Sequence, residues 1–130
     1  MAIAGPLKIS LQLLAGDEPA MGPGKALVLD AIARSGSISA AGRDIGMSYR
    51  RTWQLVDSLN RLWAERVVET HHRAGAKRGA ELTPFGQRML TTYREIEARM
   101  LAAAAGDDLD WLVGLTRPGA ESAEPVPREV

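Results

Sequence analysis

Residues 36 to 63 read GSISAAGRDIGMSYRRTWQLVDSLNRLW, and they contain a break that few folds can accommodate. Helical periodicity runs up to Ile45, stops at Gly46-Met47, and resumes at once behind Ser48. Glycine tolerates the left-handed backbone that a sharp turn demands. Serine is a good cap for the helix that follows. Ile38, Ala41 and Ile45 recur on one face before the break. After it, Thr52, Leu55, Val56, Leu59, Leu62 and Trp63 gather on one face of a helix running to about Trp63. Arg50, Gln54, Asp57 and Arg61 take the opposite face, with Trp53 on the flank. Two helices sharing a core across so tight a turn predict a helix-turn-helix. Ala40, Ala41 and Gly42 are small enough to let the second helix cross the first closely.

The flanks extend this unit. Leu7, Ile9, Leu11 and Leu13 alternate with polar residues, which predicts one half-buried strand, ended by the turn residues Gly16-Asp17-Glu18-Pro19. Pro23 suits the first turn of a helix whose stripe is Leu27, Val28, Ala31 and Ile32, closed by Gly36. Ser37 or Ser39 caps the short helix after it. Arg66 to His71 and Ala80 to Thr83 read as a β-hairpin with a long basic tip. Thr83-Pro84 opens a last helix whose Phe85, Met89, Leu90, Tyr93, Ile96, Met100 and Leu101 keep a helical period to about Ala105. The expected fold is mainly α with a small β-hairpin: a winged helix-turn-helix with a long C-terminal helix. It spans residues 1–105, and residues 106–130 are expected to form an acidic, disordered tail.

Charge points to a partner. The 130 residues sum to zero net charge, but residues 34–94 carry eleven basic and five acidic side chains, and residues 95–130 carry three basic and eight acidic. Such a division suggests a nucleic-acid surface in the middle of the chain. A recognition helix presents its first residues to base edges; here those are Ser48, Tyr49, Arg50 and Arg51, with Gln54 one turn on. Arginine pairs with both acceptors of a guanine or clamps a phosphate. Ser37 and Ser39, at the start of the preceding helix, are further candidate contacts, as are His72, Arg73, Lys77 and Arg78 in the wing. Trp53 and Trp63 read as packing residues and Asp57–Arg61 as a solvated i,i+4 pair.

Other functions find little support. There is no cysteine, and the adjacent His71 and His72 are poorly spaced for one metal. No paired carboxylates, catalytic triad or phosphate loop is visible, so neither an enzyme nor a cofactor is expected. No apolar run approaches the roughly 20 residues of a membrane-spanning helix and no signal peptide is recognisable, so a cytoplasmic protein is expected. The competing reading is a winged-helix module that binds protein without sequence-specific DNA binding.

The stretches GSISAAGRDIGMSYRRTW, LVDSLNRLW, VVET and LTPFGQRML resemble the N-terminal DNA-binding domain of ModE-type molybdenum-dependent transcriptional regulators. The likeness covers about residues 5 to 105. It implies a homodimer on a palindromic operator of double-stranded DNA and control of genes for molybdate uptake or molybdoenzymes. Two departures stand out. No stretch after Gly106 builds the small β-barrel that binds molybdate in that family, and the wing holds His, Arg, Ala and Lys where family wings are richer in glycine. The expectation is a stand-alone DNA-binding dimer without the molybdate-binding domains. The last helix extends some 15 residues past the wing, roughly 22 Å at 1.5 Å per residue. Pairing through Tyr93, Ile96 and Met100 would hide its stripe and set two recognition helices about 34–36 Å apart.

Overall fold

Three helices pack around one apolar centre, and everything else leans on them. The computed structural model describes residues 1–71 and 79–117. Helix α1 (Pro23–Ser35) starts with Pro23 in its first turn and ends at Gly36, whose φ of 74° forms the left-handed cap; the Gly36 N–H donates to the Ile32 carbonyl. Helix α2 (Ile38–Asp44) is capped by Ser37, whose side chain accepts from the Ala40 N–H, so Ser37 and not Ser39 is the cap. Helix α3 (Tyr49–Leu62) is capped by Ser48, which accepts from the Arg51 N–H. Val28, Leu29 and Ile32 of α1, Ala41 of α2, and Val56 and Leu59 of α3 meet with almost no exposure. The stripe expected on α1 is rotated slightly: Leu29 is buried while Leu27 is 47% exposed.

The N-terminal segment differs from the single strand expected. It forms two small antiparallel hairpins, β1 (Ala2–Ala4) with β2 (Leu7–Ile9) and β3 (Leu13–Ala15) with β4 (Glu18–Met21). Gly5 and Gly16 supply the reason, since φ values of 56° and 62° turn the chain back on itself twice. Leu7 to Leu13 therefore never lie on one strand. Pro19 lies within β4, opposite Leu14 beside a register shift. Such an irregularity at an edge tolerates a residue with no N–H.

Strands β5 (Val68–His71) and β6 (Gly79–Leu82) form the hairpin of the wing, with Val68 opposite Leu82 and His71 opposite Gly79. Its tip, including His72, Arg73, Lys77 and Arg78, lies outside the described residues. Helix α4 (Pro84–Ala104) opens on Thr83, whose hydroxyl accepts from the Gly86 N–H, and on Pro84. Helix α5 (Asp107–Gly114) occupies the first part of the segment expected as a disordered tail. Asp107, Asp108 and Asp110 stand in its first turn, where carboxylates favour helix formation. Residues 118–130 lie outside the described part.

Candidate nucleic-acid interface

The turn between α2 and α3 sets the direction of the basic helix end. Gly46 has φ 68°, a left-handed backbone, and no atom stands within 4 Å of a Cβ built there. Its role is conformational. Gly42 has the opposite role: a Cβ there would lie 2.6 Å from Thr52 Oγ1 and 3.1 Å from the Met47 carbonyl. The missing side chain lets α3 cross α2 in contact. Thr52 is fully buried and donates from Oγ1 to the Ser48 carbonyl at 2.8 Å, so its hydroxyl is satisfied inside the crossing.

That crossing leaves the start of α3 outside. Ser48, Arg50, Arg51 and Gln54 are exposed, and Tyr49 is 60% exposed. Tyr49 stands edge-on to Trp53, with centroids 6.2 Å apart at 70°. Trp53 is half-buried against the core and supports that tyrosine from below. Trp63 packs beside Phe85 and donates its Nε1–H to the Ala20 carbonyl at 2.9 Å. Both tryptophans pack, as the periodicity predicts.

A cleft of about 300 Å³ runs between the start of α2, the start of α3 and the base of the wing, and Ser37, Ser39, Tyr49, Trp53, Thr70 and His71 border it. The fold thus brings both candidate serines and Tyr49 to one hollow beside the wing strands. Arg50 and Gln54 border a second, more open hollow on the far side of Tyr49 and Trp53. Arg43, unassigned from sequence, stands on the same helix as Ser39 and donates to its hydroxyl at 3.1 Å. Among the described residues no group of three or more His, Asp or Glu is placed to hold a metal ion.

Arg61 does not pair with Asp57 as expected. It makes two hydrogen bonds to the Glu18 carboxylate, at 2.6 and 3.2 Å, tying α3 to β4. Its side-chain hydrogen bond holds the Glu18 carboxyl below the ordinary range. Both groups are exposed, and such pairs contribute little stability. Lys25 was not singled out by sequence, yet it is buried and donates to the Pro19 carbonyl and, at 2.8 Å, to Ser58 Oγ. Burial pulls its ammonium below the usual lysine range.

The residues expected to pair two copies divide. Tyr93 is buried within the single chain, 2% exposed, and donates its hydroxyl to the Leu11 carbonyl at 2.7 Å. The first N-terminal hairpin, β1–β2, packs against α4, and Leu11 just beyond it takes Tyr93 out of any outer stripe. Ile96 and Met100 remain half-buried. Glu97, on the same face, is a buried carboxylate that sequence did not flag: Arg94 donates to it at 2.9 Å and also to Asp30 of α1 at 2.5 Å. Its Oε2 lies 3.0 Å from the Met1 amine, an ion pair without hydrogen-bond geometry.

The sequence of this unit matches a known class. Residues 25–87 match the family described as bacterial regulatory helix-turn-helix protein, lysR family. The chain carries a ModE-like DNA-binding domain. It is 44% identical over 78 residues to the molybdenum-pterin-binding protein MopB of Rhodobacter capsulatus, covering 60% of this chain and 29% of that protein. It is 33% identical over 89 residues to the DNA-binding transcriptional dual regulator ModE of Escherichia coli strain K12, covering 66% and 34%. Over 76 residues it is 33% identical to the molybdenum transport protein ModE of Azotobacter vinelandii, covering 58% and 28%. In each case the matched stretch is about a third of the relative's length.

Proposed function

We propose that the chain is a sequence-specific transcriptional regulator that binds double-stranded DNA as a cytoplasmic homodimer, on an operator with two-fold symmetry. One observation carries this reading. Behind the left-handed Gly46, the Ser48-capped start of α3 holds Arg50 and Arg51 outside the core, on a helix end free to enter a major groove. Tyr49, Gln54, Ser37 and Ser39 are the neighbouring contacts, and His72, Arg73, Lys77 and Arg78 contact the adjacent backbone. Ile96 and Met100 of α4 pair with a second copy; Tyr93, already covered by its own chain, does not. No described helix is long and apolar enough to cross a membrane.

The regulated genes serve molybdate uptake or molybdoenzymes. The names of the similar proteins, molybdenum transport and molybdenum-pterin-binding, support that link. Selection of bound duplexes from a random DNA pool tests the proposal. A consensus with two-fold symmetry is expected. Recovery of no consensus above electrostatic background would favour a protein-binding module instead.

A further inference from the structure

One side chain joins the recognition helix to the strand that carries the wing. Asn60 lies in the last turn of α3. Its Oδ1 accepts the backbone N–H groups of Val67 at 2.9 Å and Val68 at 3.0 Å, and its Nδ2 donates to the Val68 carbonyl at 3.1 Å. Both valines are fully buried, where backbone polar groups need a protein partner. A primary carboxamide presents acceptor and donors in one plane, so this side chain answers three backbone groups at once.

The adjoining backbone, at Arg66 and Val67, is held by the start of α4 as well. The Thr83 N–H donates to the Val67 carbonyl at 3.0 Å, and the Thr83 hydroxyl donates to the Arg66 carbonyl at 2.6 Å. A Cβ on Gly86 would stand 2.3 Å from the Val67 oxygen, so α4 rests directly on this backbone. Asn60 is the link between that fixed point and α3.

We infer that Asn60 is a positioning residue for DNA binding: its carboxamide sets the angle between recognition helix and wing so that both reach one duplex together. The inference rests on the DNA-binding reading above. Arg50 lies ten residues before Asn60, about 15 Å along the helix, so a tilted wing loses its backbone contacts while the helix start keeps its own.

The test uses the full chain, a duplex recovered from the random pool, and binding measured across a salt series. Asn60→Leu, close in size but without polar atoms, should lose about tenfold in affinity, and its slope of log affinity against log salt should become shallower by about two units, at ~0.9 per phosphate. Base preference should not change. Asn60→Gln keeps each donor and acceptor but sets them about 1.5 Å further out; its slope should become shallower by about one unit. Should Asn60→Leu fail to fold, Asn60→Gln decides. A folded variant with a lower melting temperature but the wild-type slope would overturn the inference, because a purely structural role predicts that result. A wild-type chain that binds no duplex would remove the DNA-binding reading, and this inference with it.

Discussion

Arg50 and Arg51 are adjacent, yet their environments assign them different work. Arg50 borders the open hollow with Gln54 and Asp57, on the outer face of α3. Arg51 is exposed but does not border that hollow. On this placement we propose Arg50 as the base reader. Arg50→Ala should weaken binding to the selected operator by about 1–3 kcal/mol and relax preference at one base pair. Equal loss on random duplex, in the same titration, would assign Arg50 to phosphate instead. Lys77→Ala should weaken all sequences alike and reduce the salt slope by about one unit. Asn60 and Glu97 show what a residue-by-residue reading misses. Asn60 reads as one more polar residue on a helix flank, because its partners lie seven and eight positions away across a bend. Glu97 did leave a signal: it follows Ile96 and sits four positions after Tyr93, so a carboxylate occupies an inward place.

At the scale of elements, what the sequence reveals depends on how local the cause is. Caps and turn glycines act within three or four residues, so α1 to α4 and the wing hairpin can be read from Gly36, Ser48, Thr83-Pro84 and the apolar periods. The N-terminal hairpins are less legible. Four strands of three or four residues are too short to show a period of two, and the alternation of Leu7 to Leu13 bridges two of them. Helix α5 is hidden for another reason: Asp107, Asp108 and Asp110 and the acidic, Pro-containing stretch behind it mark a tail, and they outweigh the apolar Leu109, Trp111, Leu112 and Val113. The α2–α3 turn gives a sharp test. Open space surrounds Gly46, so its requirement is backbone conformation alone. Gly46→Asn, which visits the left-handed region readily, should fold and bind DNA nearly as wild type. Gly46→Val should lose at least the ~1–2 kcal/mol that this region costs an ordinary residue, with operator affinity falling alongside the thermal midpoint. Equal midpoints for the two variants would refute this account.

For the molecule as a whole, the cluster of Asp30, Arg94 and Glu97 couples α1 to α4. Burial raises the Glu97 carboxyl, but the hydrogen bond from Arg94 and the positive charge of the N-terminal amine outweigh it, and the group ends below its ordinary 4.5. The unfolded chain therefore binds a proton there at higher pH than the native one does. The resulting stability is fully present above about pH 4.5 and is lost as acid takes the pH down through the depressed value. Urea midpoints should hold steady on approach to that pH and fall below it. The Glu97→Gln protein should be less stable near neutrality and show a smaller acid-dependent drop. An identical acid profile in both proteins would show that the cluster does not control acid stability.

The Ala80 amide faces away from its partner strand and donates to the Gly36 carbonyl at 2.8 Å. The outer margin of β6 is therefore already stitched to the α1–α2 corner at its midpoint. A two-stranded ribbon with a bare margin invites a neighbouring molecule to add a third strand, the usual first step of edge-to-edge aggregation. Here a glycine carbonyl from the chain's own corner occupies that place, so the β6 margin is guarded at its midpoint against an added strand.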